Sequence, residues 1–196
     1  MADYFALLGE TRRPYLDPER IAAAFHELSR TRHPDTQDCE EQAAGSSDDF
    51  TLLNQAQQTL RDPKLRLGYL IGLEFPEVRL SGPSEVPREL AALFGPVHTL
   101  LGKVDAFLSR KAAAPSALAR ALLARDEFAM REEVEAQLGT LEELYTGALD
   151  DLRDYDATWQ SGEASSQNRL VGFYQRFSYL TRWLDQLRER LFQLGQ

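Results

Sequence analysis

The residues of this 196-residue chain that could do covalent chemistry are few and scattered. The histidines stand apart at positions 26, 33 and 98, and no glycine-rich phosphate loop follows a strand pattern. The single cysteine, Cys39, excludes an internal disulfide and a zinc knuckle. It lies in an acidic, cation-poor stretch and reads as an incidental free thiol. Asp150, Asp151, Asp154 and Asp156 could suggest a cation site, but a solvated helix face is the better reading. This inventory gives catalysis no support, and the chain is expected not to be an enzyme.

One tripeptide stands out by its setting. His33-Pro34-Asp35 follows an amphipathic helix pattern, Asp17 to Arg32, and opens a polar stretch, Thr36 to Ser47. A second helix pattern, Asp48 to Leu60, comes next and ends in Asp62-Pro63. Asp17-Pro18-Glu19 reads as an N-cap, a proline at the first helical position and an early acid on the helix dipole. Ile21, Phe25 and Leu28 share one face at the 3.6 period, with Ala23, His26 and Arg30 opposite, toward solvent. Pro34 ends that helix at about His33, because the residue before a proline is forced out of helical geometry. Ser46-Ser47-Asp48 is the expected cap of the next helix, whose buried side is Phe50, Leu53, Ala56 and Leu60. Two antiparallel helices bury these stripes against each other and leave the loop outside. Ahead of them, Tyr4, Phe5, Leu7 and Leu8 form a short apolar cluster of one or two helical turns.

Glu74 to Pro87 is a turn-rich connector containing Pro76, Gly82, Pro83 and Pro87. Three heptad-like stripes come after it. The first runs from Val86 through Leu90, Leu93, Val97, Leu100 and Val104 to Phe107. The second runs from Val134 to Trp159 and the third from Leu170 to Leu194. Breaks at Ala112-Ala113-Ala114-Pro115 and Gln160-Ser161-Gly162 separate them, which predicts an antiparallel three-helix bundle rather than a dimerising coiled coil. Gly95-Pro96 is expected to kink or interrupt the first helix. The fold class is therefore all-α and the chain is expected to be a monomer. Its expected division is 1–73, a linker 74–85, and a helical bundle 86–196.

The net charge of −9 argues against nucleic acid as a partner, since neutralising phosphates takes clustered Lys and Arg. No apolar run approaches membrane-spanning length. The Met1–Phe5 start lacks a basic, apolar leader, so a cytoplasmic location is expected.

A helix, an exposed loop opening with His-Pro-Asp and a second helix form the signature of a J domain. Asp3-Tyr4-Phe5-Ala6-Leu7-Leu8-Gly9 and the stretch Leu53–Pro63, continued by Leu65-Arg66-Leu67-Gly68-Tyr69-Leu70, resemble HscB-type J proteins. An N-terminal J domain followed directly by a small helical bundle is also the HscB layout. The resemblance implies a co-chaperone of iron–sulfur cluster assembly without a cofactor or metal. Its J domain would stimulate the ATPase of a DnaK/HscA-type chaperone, and its bundle would deliver an IscU-type scaffold protein. By the same resemblance His33, Pro34 and Asp35 would touch the chaperone, Asp35 through an arginine, with Arg30 and Arg32 beside them. Arg32 stands where a tyrosine is usual, and Ala22, Ala23 and Glu27 stand where many J domains carry Lys or Arg. Such a docking helix, less basic than usual, predicts weaker or differently steered binding.

For the scaffold surface two registers are open. In one, Phe128-Ala129-Met130-Arg131-Glu132-Glu133-Val134 matches the family's acidic-apolar motif, with Phe128, Arg131 and Glu132 as contacts. In the other, Leu93 to Val104 occupies the first bundle helix and the acidic character is nearly lost. In the last helix, Arg176-Phe177-Ser178-Tyr179-Leu180 resembles a family segment in which Tyr179, off the heptad stripe, is an exposed aromatic anchor.

Overall fold

The computed structural model describes residues 3–32, 43–80 and 86–196. Among these every regular element is a helix. The residues gather into two compact units, one of 1–80 with 150–174, the other of 81–149 with 175–196.

The first unit begins with α1 (Tyr4–Leu7), capped by the Asp3 carboxylate, which accepts from the Phe5 N–H at 3.0 Å. Helix α2 (Pro18–Arg32) starts at its proline, and Asp17 accepts from the Glu19 N–H at 2.9 Å. Helix α3 (Ala43–Arg61) begins earlier than the Ser46–Asp48 cap expected from sequence, so those residues lie inside its first turns. The chain breaks at Asp62, whose carboxylate caps α4 (Pro63–Glu74) by accepting from the Leu65 N–H at 2.8 Å. Helices α1, α2 and α4 all pack on α3. Phe5, Ile21, Leu53, Ala56, Leu60, Leu67 and Leu70 are fully enclosed between them. Each of the larger side chains among them contributes roughly 1.5–3 kcal/mol on leaving water, so this small core depends on all of them.

One charged residue sits inside that core. Arg66 is 1% exposed, and its guanidinium donates to the carbonyls of Pro14 at 2.7 Å and Leu60 at 2.5 Å. It ties the segment before α2 to the end of α3. The connector expected at 74–85 does not start as free chain, because Phe75 is buried and accepts from the Val78 N–H at 2.9 Å.

The second unit opens with a single 3₁₀ turn, Arg88–Leu90, leading into α5 (Ala91–Ala112). Pro96 lies inside α5 without interrupting it. It stands in the second turn, where its missing N–H deprives only the carbonyl of Ala92, an exposed residue that water can serve. Residues 113–115 break the chain as expected, but a short helix that sequence reasoning missed, α6 (Ala117–Leu122), follows them. Helices α7 (Ala124–Asp156) and α8 (Ala164–Leu194) complete the bundle. Antiparallel pairing of α5 with α7 is marked by Lys103–Glu133 and Arg110–Asp126, each at 2.7 Å. That of α7 with α8 is marked by Arg188–Glu142 at 2.8 Å and by the Tyr145 ring edge-on to Phe177 at 5.3 Å. Val97, Leu100, Val104, Val134, Leu141, Leu180 and Leu187 are buried, so the three stripes form the core that their spacing predicts.

The expected division at 74–85 follows chain order, whereas the compact units do not. The last turns of α7 and the first turns of α8 belong with the N-terminal helices: Arg13 and Tyr15 bond to Asp156 at the end of α7, and Arg12 and Glu74 bond to Trp159 and Ser161 in the turn that follows. The turn between α7 and α8 uses Gly162 at φ +74°, a conformation that only glycine adopts without cost.

Candidate interaction surfaces

His33, Pro34 and Asp35 lie between α2 and α3, outside the described residues, as does Cys39. The flanking helices are in place. On α2 the residues Ala23, His26, Glu27 and Arg30 are exposed on one face, while Ile21 is buried and Phe25 and Leu28 are half-buried on the other. The Arg30 side chain is 83% exposed and lies 4.0 Å from Glu27, a contact at the limit of ion pairing between two solvated groups. Such a pair contributes next to nothing, so Arg30 is available to an outside partner. Arg32 closes α2, and its side chain lies outside the described residues.

In the first unit the structure adds a site that sequence reasoning misread. Asp150, Asp151 and Asp154 are exposed as expected, but Asp156 is buried. Its carboxylate accepts from the Arg13 guanidinium, through Nε at 2.8 Å and also through Nη2, and from the Tyr15 N–H at 3.0 Å. These hydrogen bonds hold the pKa of Arg13 above its ordinary value. Nearby, Arg153 donates to the Tyr15 hydroxyl at 2.8 Å with its guanidinium over the ring. The Trp159 indole donates to the Arg12 carbonyl at 3.1 Å. Every group of this cluster is already engaged, so it fastens α7 to the segment ahead of α2 and offers no vacant donor set. Among the described residues no group of three His, Cys, Asp or Glu is placed to hold a metal ion. No described helix is long and apolar enough to cross a membrane.

In the second unit the residues expected to bind a scaffold do not form one surface. Phe128 is 64% exposed and Glu132 is exposed one turn further along α7. Arg131 is half-buried, its guanidinium beside Gly195. Tyr179, expected as an exposed anchor, is instead 7% exposed and packs against Trp183 at 5.5 Å. The heptad stripe misjudged it because α8 is enclosed on more than one side here: Phe177, Ser178, Tyr179, Leu180, Trp183 and Leu184 are all buried. Tyr179 also lies far from Phe128 along the helices. Phe177 meets Tyr145, 17 residues beyond Phe128 on α7, so about 25 Å of helix rise separates the two levels. The structure also assigns the two registers: Leu93–Val104 lies on the first bundle helix, α5, and the acidic-apolar motif lies on the second, α7. Helix α5 carries no carboxylate before Asp105.

Comparison with known proteins agrees with this geometry. Residues 3–69 match the family model of the DnaJ domain. Residues 3–69 are therefore a DnaJ domain, with His33-Pro34-Asp35 falling in sequence between α2 and α3. Chaperone HscB from Vibrio cholerae superposes with a TM-score of 0.55 at 18% identity, covering 98% of this chain and 99% of that one. Human co-chaperone protein HscB gives 0.53 at 19% identity, covering 98% and 81%. The particular architecture is thus that of HscB, a J domain joined to a three-helix bundle. In sequence, the co-chaperone protein HscB of Proteus mirabilis is 35% identical over 80 residues, 37% of this chain and 43% of that protein. The DnaJ homolog subfamily C member 11 homolog of Dictyostelium discoideum is 38% identical over 95 residues, 46% and 16% respectively. The chain thus matches less than half the length of either curated relative.

Proposed function

We propose that this protein is a co-chaperone that stimulates the ATPase of a DnaK/HscA-type chaperone. In this reading it presents to that chaperone an IscU-type scaffold protein during iron–sulfur cluster assembly. The observation that carries the reading is the J domain at 3–69, with His-Pro-Asp between α2 and α3, in a chain of HscB architecture. His33, Pro34 and Asp35 contact the chaperone, and the exposed face of α2, with Arg30, steers the encounter. The charge on that face is slight, so docking is weakly dependent on salt. The protein performs no covalent chemistry, holds no metal or cofactor, and works as a cytoplasmic monomer.

The scaffold-binding surface is assigned to Phe128 and Glu132, one turn apart on the exposed face of α7. Tyr179 is left out of it because it is buried. A second reading, a J protein with another client, is favoured by one observation: the acidic-apolar motif sits on the second bundle helix, a full 25 Å or so from the level of Tyr179.

The test is ATP turnover by the DnaK-type chaperone of the same organism, with and without this protein. Stimulation that disappears in Asp35→Asn supports the reading, and no stimulation at saturating concentration ends it. Calorimetric titration with the IscU-type scaffold then separates the two clients. Micromolar binding, weakened by Phe128→Ala, supports the scaffold; stimulation without binding points to another client.

A further inference from the structure

Phe192, near the end of α8, is 70% exposed and takes no part in the core. Two contacts place it on the same seam as Phe128. The Arg131 guanidinium lies 3.4 Å from where a Cβ on Gly195 would stand. Two turns back along α8, Arg188 pairs with Glu142 at 2.8 Å. On α7 Phe128 precedes Arg131 by three residues; on α8 Phe192 follows Arg188 by four and precedes Gly195 by three. Residues three and four apart share a helix face, so both phenylalanines border the line where α7 meets α8. With Arg131 level with Gly195, antiparallel packing sets the two about 9 Å apart along that line.

The seam faces outward. Helix α5 meets Asp126 and Glu133 of α7 and Arg190 of α8. Phe128 stands two residues from Asp126, and Phe192 two from Arg190, which turns each phenylalanine away from α5.

Beyond the aromatics the same faces carry acids. From Phe128, helical steps along α7 reach Glu132, Glu135 and Glu142; from Phe192, steps back along α8 reach Arg188 and Asp185. Glu132, Glu135 and Asp185 are exposed and make no ion pair among the described residues. The cations nearby are committed, Arg188 to Glu142 and the half-buried Arg131 to the end of α8. From Phe128 to Glu142 the strip runs about 21 Å, the length of four helical turns.

Charge decides what covers it. A second copy docked face to face would set the same unpaired carboxylates against one another. An anionic bilayer would be repelled for the same reason. A helix with apolar residues on one face and Lys or Arg beside them meets the aromatics and the acids together.

We propose that the α7–α8 seam docks a basic amphipathic helix of the client, with Phe192 as a second aromatic anchor and Glu135 and Asp185 pairing its cations. The proposal rests on the reading that Phe128 and Glu132 bind the client, and it adds the chemistry of the element they hold.

The test is fluorescence anisotropy of the full chain with a labelled peptide of about four helical turns. Leucines line one face of the peptide and lysines flank them; its counterpart carries glutamates instead. The lysine peptide is expected to bind at micromolar concentration and the glutamate peptide not to bind. Phe192→Ala, a change at an exposed site, should weaken binding roughly tenfold, as should Phe128→Ala. The Glu135→Gln/Asp185→Asn double variant should weaken it several-fold at low salt and less at high salt. Undiminished affinity in Phe192→Ala would overturn the proposal, since a cation adhering to a protein of net charge −9 needs no anchor. So would equal binding of both peptides, no binding of the lysine peptide, or a dimer that Phe192→Ala dissociates. Titrating the IscU-type scaffold into the same variants separates this inference from the reading beneath it. Scaffold binding weakened by Phe128→Ala but not by Phe192→Ala overturns the inference alone. Absence of scaffold binding overturns the scaffold reading, and the peptides then decide the inference.

Discussion

The two units are held together by different means. In the first, a small apolar core is supplemented by polar groups that reach across long stretches of chain, from Arg66 to Pro14, Asp156 to Arg13 and Trp159 to Arg12. The second unit relies on three repeating apolar stripes, and its ion pairs, such as Arg188–Glu142, lie at the surface. Short helices that present a loop cannot bury much area, so a few engaged polar groups carry a disproportionate share of their order. Long helices bury enough to leave their charges to solubility.

The contrast can be broken most sharply at Arg66. Replacing it with Met keeps the bulk but strands the carbonyls of Pro14 and Leu60, and should cost roughly 4 kcal/mol in urea denaturation. A loss under about 1 kcal/mol would mean that water or repacking serves those carbonyls, and that the first unit is ordinary in its cohesion. The corresponding cut in the second unit is Leu187→Ala, which opens a cavity in a fully enclosed site and should cost roughly 3 kcal/mol. Third comes Asp156→Ala, at roughly 2 kcal/mol, a figure lowered because the Arg13 side chain is 44% exposed and can turn to water. Faster amide exchange at Tyr15, whose N–H loses its acceptor, would show that the damage starts there. The smallest effect belongs to Arg188→Ala: with both partners more than half exposed, a change above about 0.5 kcal/mol would overturn the claim that surface pairs in the bundle are incidental.

The same contrast explains what the sequence could tell. Asp17-Pro18 and Asp62-Pro63 start their helices where expected, because a cap and a proline act within a few residues. The bundle stripes were legible because burial repeats at the helical period. Arg66 and Asp156 were not legible: each is an ordinary charged residue on a helix until the fold brings distant partners to it. Tyr179 failed for a related reason, since a heptad stripe assumes one buried face and this stretch of α8 has more. Helix α6 had a local signal that went unused, the Ser116 hydroxyl that accepts from the Ala119 N–H at 3.1 Å. The J domain is the reverse case, recognised from His33-Pro34-Asp35 and the helix patterns that flank it. The surface proposed for a scaffold is the least legible part, because the motif containing Phe128 and Glu132 lies on α7 rather than on the first bundle helix.

The two tryptophans give this chain an optical property. Trp159, whose indole bonds to the Arg12 carbonyl, lies in the first unit, and Trp183, packed against Tyr179, lies in the second. They are the only two tryptophans in the sequence. Replacing either with Phe leaves an emission spectrum that reports on one unit alone. Two such variants, unfolded side by side, would reveal whether the molecule melts as one body or in two stages, without any attached dye.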